Sequence, residues 1–225
     1  MRFDISDMIH LLTSKIEFPD PRTAEPDGLL AVGGDLKPER LLLAYKLGIF
    51  PWFNEDEFPM WFSPHKRFVL FPEKLRISKS MQQVIRSKKF SVSVDEDFSA
   101  VVKNCAQSKR KGQGGTWITS GMMEAYKELH AMGHAHSVEV REAGELAGGL
   151  YGVAVGHSPG SRVFCGESMF SKKNNASKLA LIHLATKMNY ALIDCQVFTP
   201  HLERMGAEHI TREEYERFLP PNDGK

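Results

Sequence analysis

Ala191-Leu192-Ile193-Asp194-Cys195-Gln196-Val197-Phe198 is apolar and β-prone except at two positions, where a carboxylate and an amide stand two residues apart. Successive side chains of a strand point to opposite faces, so Asp194 and Gln196 are expected on one face, within reach of each other or of one bound molecule. An ionised carboxylate withdrawn from water costs several kcal/mol unless it is paired or hydrogen-bonded, so Asp194 requires a partner. Upstream, a helix predicted over 175–188 crosses over to this strand and sets it parallel to the strand before it. Three strands precede that helix, at 136–141, 146–155 and 162–170, separated by the turn Glu142-Ala143-Gly144 and a loop over 156–161. They read as an antiparallel meander. The third carries another carboxylate among apolar neighbours, Glu167 in Val163-Phe164-Cys165-Gly166-Glu167-Ser168-Met169-Phe170, which points to a polar site within a sheet.

Farther toward the N-terminus the pattern gives helices over 78–88, 97–106 and 119–132, the last closed by Gly133. A turn-rich opening with Pro19, Pro21 and Pro26 leads to a helix for which Asp35 or a neighbour is the cap. Pro38 and Glu39 suit its first turn, and Gly48 stops it. The expected fold class is α/β in its α+β form: a small N-terminal domain, 1–65, and a larger domain, 66–225, with a mixed sheet.

At 225 residues, with 42% hydrophobic and 25% charged, the chain has the composition of a soluble globule able to bury a core. Arg2, Asp4 and Asp7 precede any apolar run, and no stretch approaches the roughly 18 apolar residues of a membrane span. A cytoplasmic protein without a membrane partner is expected. Three cysteines without regular spacing fit reduced, packed thiols rather than a disulfide framework.

The net charge of +1 conceals an asymmetry. Between Trp61 and Gly112 stand twelve Lys or Arg against four acids, so this segment carries +8 and the rest of the chain −7. Such a segment favours an anionic partner, nucleic acid above all. In the predicted helix 78–88, Lys79, Gln82, Gln83 and Arg86 share one face, a ridge suited to tracking phosphates, with Lys88 and Lys89 just beyond it. Lys109, Arg110 and Lys111 lie in a Gly-rich loop, 108–115. A merely solvated basic face explains one such helix equally well.

Several blocks in a fixed order are specific enough to point to a family. They are Gly33-Gly34-Asp35-Leu36, Tyr45 with Gly48-Ile49-Phe50-Pro51-Trp52-Phe53, Gly115-Thr116-Trp117-Ile118-Thr119, Glu124-Ala125-Tyr126, Gly133-His134-Ala135-His136-Ser137, Phe164 to Ser171, and Ile193-Asp194-Cys195-Gln196. In these the chain resembles leucyl/phenylalanyl-tRNA-protein transferase across most of its length, about 15–210. The resemblance implies an N-acetyltransferase-like second domain. It also implies transfer of Leu or Phe, with Met as a further donor, from aminoacyl-tRNA to the α-amino group of proteins beginning with Arg or Lys, which marks them for proteolysis. No cofactor or metal is implied. By the same resemblance Gln196 accepts a hydrogen bond from the attacking amine, Asp194 orients the Gln196 amide, and Glu167 holds the acceptor's amine or cationic side chain. Trp52 and Trp117 stack on the terminal adenine, Tyr45 and Tyr126 line the cleft as hydroxyl donors, although Tyr126 also fits the core face of its helix with Met122 and Leu129, and Leu150 and Phe164 belong to the amino-acid pocket. The tRNA contacts implied are Lys79 and Arg86, and where the chain departs from the family's cations the contact is expected to shift toward Lys88, Lys89, Lys109, Arg110 and Lys111. Leu150 stands where the family is expected to carry Met, and Gln83 and Ser87 where it is expected to carry cations.

Three rival readings follow from the same residues. Cys195 beside Asp194, and Cys165 beside Glu167, suggest a cysteine enzyme, although strand alternation turns Cys195 away from Asp194. His130, His134 and His136 suggest a metal site. A non-enzymatic RNA-binding module explains the basic segment but not the polar groups on the later strands.

Overall fold

The computed structural model describes residues 9–108, 118–156 and 160–221. The chain builds two sheets. The first has the order β1-β2-β4-β3, from β1 (His10–Leu12), β2 (Leu29–Gly33), β3 (Phe50–Pro51) and β4 (Met60–Phe62), with α1 (Pro38–Lys46) between its second and third strands. The second has seven strands: β5 (Lys66–Leu70), β6 (Phe90–Val94), β7 (Ala135–Glu142), β8 (Glu145–Val155), β9 (Val163–Ser171), β10 (Leu192–Gln196) and β11 (Glu208–Thr211). Their order is β11-β5-β10-β9-β8-β7-β6. The helices α2 (Lys79–Arg86), α3 (Phe98–Gln107), α4 (Ser120–Ala131), α5 (Ala176–Lys187), α6 (Pro200–Arg204) and α7 (Arg212–Glu216) complete the chain. The architecture is the mixed α/β type expected.

Local chemistry sets the element ends. Ser78 caps α2 by accepting from Met81 N–H at 3.3 Å, and Thr119 caps α4 by accepting from Met122 N–H at 3.1 Å. Gly133 closes α4 at φ 79°, a conformation that favours glycine. At α1 the expectation shifts by two residues. The cap position is Lys37, which makes no side-chain cap bond. Asp35 instead accepts from Lys37 N–H and pairs with the buried Arg40, each at 3.2 Å. Pro38 at the first helical turn lacks an N–H, so no donor is left orphaned there.

The predicted meander is β7-β8-β9, and β10 joins β9 in parallel through the α5 crossover, whereas the other pairings of this sheet are antiparallel. Alternation along these strands feeds two apolar cores. Val69, Tyr151, Val153, Val163, Cys165 and Leu192 face α3, α4 and the first sheet. Phe68, Leu70, Leu150, Phe164 and Ile193 face α5 and α6. The first sheet ends at Phe62 and the second begins at Lys66, yet the first of these cores runs through both.

The parallel register between β9 and β10 ends at the pair Cys165 and Asp194. Beyond it β9 runs on to Ser171 while β10 stops at Gln196, so the two strands part and leave a gap in the sheet. On the other side of β9, the ladder with β8 slips between Tyr151 and Gly152. Glycine is required at 152, where a Cβ would lie 2.2 Å from the Cys165 carbonyl oxygen. The opening between β9 and β10 is where the polar residues of both strands meet.

Candidate active site

A cleft of about 480 Å³ fills this gap, within the range of small-molecule sites. Leu150, Phe164, Met169, Leu181, Leu184 and Ile193 give it an apolar wall, and Glu167, Asp194 and Gln196 supply the polar one. Trp52 stands at its edge, 38% exposed and tilted against Phe62 with ring centroids 5.9 Å apart.

Glu167 is the hub of a chain of hydrogen bonds. Tyr126 Oη donates to Glu167 Oε2 at 2.7 Å, and the Tyr45 and Tyr126 hydroxyls lie 2.5 Å apart behind it. Gln196 Nε2 donates to the other carboxylate oxygen, Oε1, at 2.8 Å. Burial pushes the Glu167 carboxyl up to about 7, against the hydrogen bonds from Tyr126, Tyr45 and Gln196 that pull it down. Burial likewise raises both tyrosine hydroxyls well above their ordinary range, so they remain protonated donors.

Asp194 has a different environment. It is fully buried, and Oδ2 takes both the Arg67 guanidinium and the Tyr215 hydroxyl, the latter at 2.8 Å. Burial pulls Arg67 downward, but the charge and hydrogen bond of Asp194, together with Tyr215 and Cys165, outweigh it and hold the guanidinium above its ordinary value. This is the partner that a buried carboxylate needs. Asp194 Oδ1 accepts from the main-chain N–H of Gln196 at 2.9 Å, not from its side-chain amide. The expected contact between the two side chains is replaced because the ladder with β5 slips between Asp194 and Gln196, and Gln196 adopts φ 58°. Strand alternation fails at this point, and the Gln196 amide swings to Glu167.

The rival chemistries lose their geometry. Cys195 Sγ lies 3.8 Å from the Ile193 carbonyl oxygen, Cys165 Sγ lies 3.9 Å from the Tyr215 hydroxyl, and burial pushes both thiols upward, away from the thiolate that nucleophilic chemistry uses. His130 Nδ1 is 2.8 Å from the Ala135 carbonyl oxygen and its ring stacks on Phe98. His136 Nδ1 meets Asp95 Oδ2 at 2.7 Å. Among the described residues no group of three or more His, Cys, Asp or Glu is placed to hold a metal ion.

The family model described as leucyl/phenylalanyl-tRNA protein transferase matches residues 69–220, and the model of that family's N-terminal domain matches residues 34–65. The chain belongs to the leucyl/phenylalanyl-tRNA protein transferase family. Among its relatives, the leucyl/phenylalanyl-tRNA-protein transferase of Flavobacterium johnsoniae is 52% identical over 94% of this chain and 99% of that protein. Those of Syntrophobacter fumaroxidans and Nitrosomonas europaea are 52% and 50% identical, each over 94% of this chain and 89% of the relative. Solved structures with some likeness include a ribosomal-protein-alanine N-acetyltransferase from Brucella melitensis, 14% identical over 60% of this chain and 94% of that one, at a TM-score of 0.33. A likeness of that size carries no argument.

Within this transferase chain, the cleft brings together Asp194, Gln196, Glu167, Trp52, Leu150 and Phe164. Tyr45 and Tyr126 do not line it as expected. Both are buried behind Glu167 in the core shared by α1 and α4, where the Tyr126 hydroxyl meets that carboxylate and the Tyr126 ring packs edge-on against Tyr151 of the cleft wall. Lys79, Arg86, Lys88 and Lys89 are exposed on and after α2, and Lys89 is paired with Glu142 at 2.7 Å. Trp117, Lys109, Arg110 and Lys111 lie outside the described residues. Sequence reasoning missed Arg67 and Tyr215. Arg67 was counted only in the basic segment, although a charge inside Lys66-Arg67-Phe68-Val69-Leu70 is as anomalous as Asp194 in its own strand. No spacing or periodicity ties Tyr215 to the site.

Proposed function

We propose that this aminoacyltransferase carries Leu or Phe, with Met as a further donor, from tRNA to the α-amino group of proteins beginning with Arg or Lys, and so marks them for proteolysis in the cytoplasm. Family membership makes it a transferase working between aminoacyl-tRNA and protein. The observation that carries the finer reading is the pairing of an apolar pocket with a carboxylate and an amide at its wall. In the reaction the amine nitrogen attacks the ester carbonyl carbon. A C–N bond forms, the bond to the ribose oxygen breaks, and the proton lost by nitrogen ends on that oxygen. An aminoacyl ester is already activated, so orientation supplies much of the acceleration.

The roles follow from the contacts. Leu150, Phe164 and the other apolar residues enclose the donor side chain, while Trp52 offers its exposed face to the terminal adenine. Gln196 Nε2 is engaged with Glu167, which leaves its carbonyl oxygen to accept an N–H of the incoming amine. Glu167, titrating at about 7, is matched to hold that amine and take its proton near neutral pH. Asp194 is already matched by Arg67, which fits a positioning role better than proton transfer. The exposed cations at Lys79, Arg86 and Lys88 support contact with the tRNA backbone.

The test is transfer of radiolabelled leucine from leucyl-tRNA to a peptide beginning with Arg, measured for the wild type and for Asp194→Ala. Transfer by the wild type that falls sharply in the variant, with tRNA binding intact, is expected. A folded wild type that binds tRNA regardless of aminoacylation and transfers nothing would leave the RNA-binding module as the better reading.

A further inference from the structure

Gln196 sits in an unusual stretch of backbone. Its φ is 58°, and the Val197 N–H reaches across it to the Cys195 carbonyl oxygen at 2.6 Å. That makes Gln196 the centre of a three-residue turn, a strained conformation for any residue with a side chain, which persists only where its surroundings impose it. Asp194 imposes it, through the bond from the Gln196 N–H to Oδ1. Asp194 is in turn fixed from the far side. Arg67 on β5 and Tyr215 on α7 both donate to Oδ2. The Arg67 guanidinium lies between the rings of Phe50 and Tyr215, 4.9 and 4.6 Å from their centroids, and its Nη1 donates to the Gly48 carbonyl at 3.1 Å. Neither Arg67 nor Tyr215 is among the described residues lining the cleft.

We propose that Arg67 and Tyr215 are positioning residues for aminoacyl transfer: acting through Asp194, they hold the strained turn that aims the Gln196 amide into the cleft. The proposal rests on the reading of the cleft as the transfer site. It assigns function to a residue of the C-terminal helix that touches no substrate, and it makes the charge of Asp194 a structural element of the turn. A displacement of the Gln196 amide by about 1 Å would stretch its bond to Glu167 and misalign its carbonyl for the amine, so loss of one donor should reach the chemistry.

Tyr215→Phe removes the hydroxyl and keeps the ring against Arg67. Expected is a fall in kcat of about tenfold, the effect of losing one hydrogen bond to a charged group, with KM for leucyl-tRNA unchanged. In an Asp194→Asn background the same substitution should add little, because the three groups act as one unit. A second readout does not use activity. The side-chain amide signals of Gln196 in a ¹⁵N–¹H spectrum, identified by their loss in Gln196→Glu, should move in Tyr215→Phe and in Arg67→Lys. An unmoved amide and unchanged kcat in an enzyme that does transfer leucine overturn the clamp alone, as does a rise in KM at constant kcat. A wild type that transfers nothing overturns the reading of the cleft and the proposal with it, even if the amide moves.

Discussion

Replacing Glu167 by Gln tests the electrostatics of the cleft through stability alone. An ordinary glutamate carboxyl titrates near 4.5, and burial raises Glu167 to about 7. Between these values the folded chain keeps a proton that the unfolded chain has released, so stability falls as pH rises and levels off above about 7. At about 1.4 kcal/mol per pH unit, ionising Glu167 in place costs about 3 kcal/mol of folding free energy. Among the described residues the facing groups are the neutral Tyr126, Tyr45 and Gln196 and the anionic Asp194, and none of them is a cation that matches that charge directly. Gln at 167 cannot ionise. It changes the hydrogen bonding with Gln196, but by an amount that does not vary with pH. Urea unfolding followed by circular dichroism at pH 5 and at pH 8 gives the difference in stability between Glu167→Gln and the wild type at each pH. That difference should shift in favour of the variant by about 2 to 3 kcal/mol on going from pH 5 to pH 8. A difference that is the same at both pH values refutes the assignment of a raised carboxyl to Glu167.

Asp194→Ala leaves the Arg67 guanidinium buried and uncompensated, so it should lose about 3 to 5 kcal/mol of stability by urea unfolding at pH 7, while Asp194→Asn loses less. Trp52→Ala should raise KM for leucyl-tRNA by about tenfold while leaving the melting temperature near that of the wild type, since the ring is exposed and worth about 1–3 kcal/mol as a stacking platform. Lys79→Ala with Arg86→Ala should weaken tRNA binding and reduce the slope of log K against log salt by about two, read from filter binding at several ionic strengths. The same slope in variant and wild type would assign the α2 ridge to solvent.

The meander and β10 of the larger sheet were legible because each obeyed a local rule, whereas β5, β6 and β11 are short segments that were not expected as strands. Turn residues bounded the meander, the helices expected from 78 and 119 form as α2 and α4, and the α5 crossover sets β10 parallel to β9. The depth of Asp194 was legible too, since a carboxylate inside an apolar strand has few places to be. Its partner was not. Arg67 lies 127 positions away, and nothing in the spacing of either strand pairs them. The direct contact between the Asp194 and Gln196 side chains fails for a related reason, although both residues line the cleft. Alternation holds while the ladder is regular, and one slip in register against β5 sends the side chain elsewhere without leaving a mark in the residue types. Tyr45 and Tyr126, expected to line the cleft as hydroxyl donors, lie behind Glu167 instead, because the apolar faces of α1 and α4 draw their rings into the core.

The two carboxylates of the cleft divide the work by their partners. Asp194 meets a cation, a hydroxyl and a backbone amide, a set that satisfies a fixed negative charge and ties it to the conformation of Gln196. Among the described residues Glu167 meets neutral donors, and burial brings its carboxyl up to about 7. A group in the first setting is suited to hold geometry, and one in the second to exchange a proton with an amine whose nucleophilicity depends on losing its own. The Gln196 amide joins the two, with its backbone N–H on Asp194 and its side chain on Glu167. The strained turn therefore couples a rigid anion to a titratable one across a single residue, the residue whose carbonyl receives the attacking nitrogen in the proposed reaction.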